Sequence, residues 1–146
     1  MFMKNLKKNN KGFSLVELIV VVLIMAIIAV ALAPQIMKWV KNSRITADQN
    51  ACGNIKTAVQ AGIADYQANG GVLVAQTFAK SNIGASGLTE ETSKNQGGTK
   101  TLVSCINNAL GGEKYNSKYD STGFQIEIAA NGGVKVTCTA STISLD

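Results

Sequence analysis

Apolar and polar positions divide the chain into four regimes. Residues 1–12 are polar and basic. At Phe13 the character changes: Leu18 to Ala33 is an unbroken run of 16 apolar residues, and the 21 residues from Phe13 to Ala33 carry one charge, Glu17. As a helix that stretch spans about 31 Å, matching a bilayer hydrocarbon core of ~30 Å. From Ile45 to Tyr66 the apolar positions thin to one helical stripe: Ile45, Cys52, Ile55, Val59, Gly62/Ile63 and Tyr66. Asp48, Gln49, Lys56, Gln60 and Gln67 fall largely outside it. Asn69-Gly70-Gly71 has the chemistry of a helix C-cap. The spacing therefore predicts one helix from about Phe13 to Ala68. Pro34, the only proline, is expected to kink or break it.

The fourth regime is mixed. Residues 72–99 are rich in Ser, Thr, Gly, Asn and Gln without clear period, and read as a loop with short structured pieces. Leu102, Ile106 and Leu110, followed by Gly111-Gly112, predict a short helix. Phe124, Ile126 and Ile128 alternate with Gln125 and Glu127, and Val134, Val136 and Cys138 with Lys135 and Thr137. With Asn131-Gly132-Gly133 between them, they predict a β-hairpin with one apolar face. Ile143 and Leu145 could supply a third strand. A striped helix and a one-faced sheet bury each other. The expected fold is α+β: a long kinked N-terminal helix, transmembrane then amphipathic, packed on a small antiparallel sheet.

Composition narrows the chemistry. A chain of 146 residues allows one compact domain plus an appendage. Of 14 Lys+Arg, four (Lys4, Lys7, Lys8, Lys11) lie in the first 12 residues; the other ten face nine acids. The net charge of +5 is thus mostly a basic N-terminus rather than a broad nucleic-acid surface. Histidine is absent, which removes Ser-His-Asp and Cys-His nucleophiles and every His-ligated metal site. The nine carboxylates are scattered; only Glu90-Glu91 are adjacent, in a polar stretch, and no GxxxxGK[ST] occurs. The chain reads as no enzyme, with no cofactor and no metal. Lys100, Lys114, Lys118 and Lys135, with Tyr115 and Tyr119, are the candidates for contact with DNA; the plainer reading is a solvated surface.

Three readings compete for the N-terminus. A secretory signal peptide has small-x-small sites at Ala29-Val30-Ala31 and Ala31-Leu32-Ala33, but Pro34 follows directly and the apolar run is long for one. A plain single-span anchor, its lysines cytoplasmic, leaves Glu17 without a purpose. The third reading uses it. Lys11-Gly12-Phe13-Ser14-Leu15-Val16-Glu17-Leu18-Ile19-Val20 resembles the processing signature of type IV prepilins and the related pseudopilins.

That resemblance implies a basic leader, 1–12, removed by a prepilin peptidase/methyltransferase. Cleavage falls between Gly12 and Phe13, and Phe13 is then N-methylated. It implies a transmembrane and filament-core helix half over 13–37, an amphipathic half over 38–69, and a globular head over 70–146. It further implies a precursor spanning the cytoplasmic membrane once with its head outside. An inner-membrane assembly platform then polymerises copies of the chain into an extracellular pilus-like filament. The alternative is a pseudopilin of a type II secretion or competence (DNA-uptake) system, which shares the signature.

The physics of Glu17 supports this reading. A carboxylate at the centre of a membrane helix costs ~2.5–3.5 kcal/mol, and less near an end. Cleavage before Phe13 frees an ammonium that a neighbouring copy could present to Glu17, setting register. Glu17 also suits the helix dipole in the first turn. Trp39 with Lys38, Lys41 and Arg44 suits the outer membrane interface.

Cys52, Cys105 and Cys138 are an odd count. They read as buried reduced thiols, as a Cys105–Cys138 bridge by resemblance to pilins that staple their C-terminal region, or as a bridge using Cys52. A three-thiolate zinc site lacks any CxxC or His support.

Overall fold

A computed structural model describes residues 12–81, 83–84, 87–88, 100–119, 122–138 and 144–145. The chain divides into two compact units, Met1–Trp39 and Val40–Asp146. One helix, α1 (Leu15–Ala68), contributes to both, and its assignment continues through Pro34 without a break. The missing amide of a proline removes one intrahelical hydrogen bond; a helix this long retains its neighbours.

In the first unit α1 buries nothing. Leu15, Ile27, Val30 and Met37 are among its most exposed side chains, and every residue from Gly12 to Trp39 is exposed. By length and composition this helix is able to cross a membrane. An apolar surface all round, with no partner among the described residues, must be solvated by lipid or by other protein.

The second unit has a core. Along α1 the buried positions are Asp48, Cys52, Ile55, Val59, Gly62, Ile63 and Tyr66, one face at steps of three and four. The helix ends in a Schellman motif: Gly71 N–H donates to the Tyr66 carbonyl and Gly70 N–H to Gln67, each at 3.0 Å, with Gly70 at φ +83°. Residues β1 (Gln76–Ser81), α2 (Leu102–Leu110), β2 (Phe124–Ile128), β3 (Val134–Cys138) and β4 (Ser144–Leu145) follow. The strands form one antiparallel sheet in chain order.

In the hairpin Phe124 faces Cys138 and Ile128 faces Val134, as the alternation requires. Phe124, Ile126, Ile128, Val134 and Val136 are buried and share a core with the α1 stripe and with Leu102, Val103, Ile106 and Leu110 of α2. Fully burying a side chain of this size stabilises by about 1.5–3 kcal/mol. Thr101 caps α2, its hydroxyl accepting from Ser104 N–H at 3.2 Å, and Gly111 closes it at φ +64°.

One expectation becomes specific and one needs correction. The segment 72–99 contains a strand. β1 pairs with β2, with Phe78 opposite Ile126 and packed against the core. Its sequence, Gln-Thr-Phe-Ala-Lys-Ser, holds one large apolar side chain, because an edge strand satisfies its backbone through a neighbour and needs little apolar pattern of its own. Asp48 is also not outside the stripe. It is 1% exposed, at the start of the buried face.

Candidate functional site

Residues 12–14 are non-helical and α1 begins at Leu15. Ser14 occupies the N-cap: its carbonyl accepts the first helical bond, from Leu18 N–H at 3.1 Å. Three residues on, the Glu17 carboxylate turns back and accepts from the Ser14 N–H at 3.0 Å. Ser-Leu-Val-Glu is thereby one half of a capping box, and the acid that membrane insertion penalises satisfies an otherwise orphaned helix donor. The Gly12–Phe13 bond lies just before this cap. A Cβ built at Gly12 would meet nothing within 4 Å, and Phe13 is 91% exposed. Among the described residues no neighbour requires a glycine at position 12, and none covers the bond. This places Gly12, Phe13 and Glu17 together; Pro34 lies further along α1.

The other candidates sit in the second unit. Asp48 is its buried charge. The carboxylate accepts from Ser117 Oγ at 2.6 Å, Lys118 N–H at 2.7 Å and Tyr119 N–H at 3.1 Å. Three donors compensate the desolvation of one carboxylate. The only sequence sign was its place four residues before Cys52 on the same face, which its charge outweighed. Near the other end of this face Asp65 bonds Lys100 Nζ at 3.1 Å and Asn69 Nδ2 at 3.1 Å. The Cys105 thiol donates to the same carboxylate and, with Lys100, holds it below the usual range. Burial and then the hydrogen bond to Asp65 push the Cys105 thiol up, which disfavours the nucleophilic thiolate.

Cys52 and Cys105 are both buried, on α1 and α2. Cys138 lies on β3, and its side chain is outside the described residues, as are Glu90-Glu91 and the four leader lysines. Among the described residues no three Cys, Asp or Glu side chains converge to hold a metal. Of the four candidate lysines the fold joins two. Lys114 and Lys118 line a hollow of ≈ 320 Å³ with Ala47, Asp48 and Ala51. Lys100 pairs with Asp65, 17 residues and about 25 Å further along α1. Lys135 lies on β3, across from Glu127. Tyr115 donates to Glu113 at 2.7 Å and Tyr119 lies under Lys41.

Residues 7–33 match the family described as the prokaryotic N-terminal methylation motif. Prepilin peptidase-dependent protein A of Clostridium perfringens (strain 13 / Type A) is 32% identical over 113 residues, which cover 75% of this chain and 79% of that protein. No solved structure matches the chain.

Proposed function

We propose, from the premise that this chain belongs to the type IV pilin and pseudopilin family, that it is the structural subunit of a type IV pilus-like surface filament. Members of this family are structural proteins, and the apolar helix with its prepilin motif is consistent with a membrane-anchored precursor. The chain is inserted with its leader, cut after Gly12 by a prepilin peptidase, methylated at Phe13 and polymerised through residues 13–37. A C. perfringens relative described as prepilin peptidase-dependent supports the peptidase as a partner.

The observation that carries this reading is the N-terminal part of α1, residues 15–33: apolar on every side, exposed along its whole length, and interrupted by one acid at its first turn. Lipid solvates such a surface before assembly, and copies of the same helix solvate it afterwards. Glu17 is built for both states. Its Oε2 accepts from Ser14 N–H, and an ionised carboxylate has room for further donors. The ammonium of a processed Phe13 from another copy would use that capacity and fix the axial offset between helices.

Electron microscopy of sheared surface filaments, with mass spectrometry of their content, tests this. The chain should be their principal component and begin at N-methylated Phe13. A processed chain confined to the envelope, absent from surface filaments, would favour the pseudopilin. A chain beginning at Met1 would overturn both.

A further inference from the structure

Lys41, Arg44 and Asp48 recur at i, i+3 and i+7 on α1, so they share one face. The segment 114–119 lies along that face. Asp48 holds its backbone through Lys118 and Tyr119, Lys41 Nζ sits 5.6 Å from the Tyr119 ring centroid, and Lys114 and Lys118 line the hollow against Ala47 and Ala51. Four cations from two distant stretches of sequence are gathered here by one buried acid. Among the described residues none of the four has an ion pair. Against these four cations residues 41–48 and 113–119 carry two carboxylates, Asp48 and Glu113. Exposure of Lys41, Arg44, Lys114 and Lys118 leaves positive charge in excess on the surface.

The position of this face along the chain suggests what it meets. Lys41 follows Ala33, the last residue of the apolar run, by eight residues, about 12 Å of helix. Basic groups that close to a membrane segment are within reach of lipid head groups. Several such groups add their attraction to an anionic surface within a Debye length.

We propose that Lys41, Arg44, Lys114 and Lys118 form a docking surface for the phosphate head groups of anionic lipid in the outer leaflet, engaged by the subunit before polymerisation. This rests on the reading of residues 13–37 as a membrane span. Asp48 is its positioning residue, because its three hydrogen bonds tie Ser117, Lys118 and Tyr119 to the helix that carries Lys41 and Arg44. Withdrawal into a filament breaks the contact, so the lipid composition biases how readily subunits leave the membrane.

The test uses the full chain in lipid nanodiscs of phosphatidylcholine alone or with about 30% phosphatidylglycerol. Lysines are acylated with a water-soluble amine reagent and the rates read by peptide mass spectrometry. Lys114 and Lys118 should react about fivefold more slowly in the anionic discs, with the protection fading at high salt. Lys135, on the sheet, should react alike in both. Equal rates at Lys114 and Lys118 would overturn the docking while leaving the span intact. So would equal protection by inorganic phosphate in phosphatidylcholine discs, which marks a small-anion site. Protection by duplex DNA without protection by phosphatidylglycerol would assign the face to nucleic acid instead. A chain that enters neither kind of disc would overturn the span, and the docking with it.

Discussion

Gly62 on α1 and Ile106 on α2 approach so closely that a Cβ built on the glycine would stand 2.6 Å from the Ile106 Cα. The obstacle is backbone rather than a flexible side-chain end, so α2 would have to move away from α1 to admit even one methyl group. Gly62→Ala should therefore destabilise the second unit by about 1–3 kcal/mol, the usual range for overpacking a filled core. Thermal unfolding of the full chain in detergent, followed by the tyrosine near-UV signal, measures it. An unchanged midpoint would mean that the two helices do not pack this tightly.

Asp48→Asn keeps the shape of the side chain but places an amide among three donors. Loss of hydrogen bonds to a charged acceptor costs about 1.5–3 kcal/mol. Amide hydrogen exchange over residues 114–119 should accelerate, while exchange in the β2–β3 hairpin changes little. Unchanged protection of Lys118 and Tyr119 would show that other contacts hold the segment.

Glu17 has two separable jobs, and two substitutions divide them. Glu17→Gln retains an oxygen for the Ser14 N–H but loses the charge; Glu17→Ala loses both. If the charge sets filament register, the two variants should assemble equally poorly while remaining membrane-inserted. Filament yield from cells making only the Gln variant decides this, and normal yield would leave the acid with a capping role alone.

Gly12→Ser should fold and insert as before, since a Cβ there meets no atom of the described residues within 4 Å. If glycine is required by the peptidase, the leader should stay attached. Intact mass measurement reads the outcome, and a normal mature mass would remove Gly12 from the processing site.

Tyr115 offers a pH test. Burial, and then its bond to Glu113, push the phenol up to about 12. A raised folded value means that the folded state favours the protonated phenol. That contribution is complete below the unfolded value near 10 and is lost as pH climbs through about 12. Ultraviolet titration should show a phase near about 12 that Tyr115→Phe removes.

Much of this protein is local in origin, and so was legible from residue order. The unbroken apolar run, the stripe from Cys52 to Tyr66, the Asn69-Gly70-Gly71 stop and the alternation on either side of Asn131-Gly132-Gly133 each depend on backbone period and turn chemistry. The structure reproduces them in α1, its Schellman ending and the β2–β3 pairing. The Ser14–Glu17 spacing was equally visible, although its capping geometry was not expected. What tertiary structure alone decided is non-local. Asp48 is buried because donors 69 to 71 residues away close over it. β1 exists because β2 supplies the hydrogen bonds that its own polar sequence could not announce. Lys114 and Lys118 join the α1 face, and Lys100 goes to Asp65, through contacts that no periodicity encodes. A short-range pattern states which face a residue turns; only the packed chain determines what that face meets.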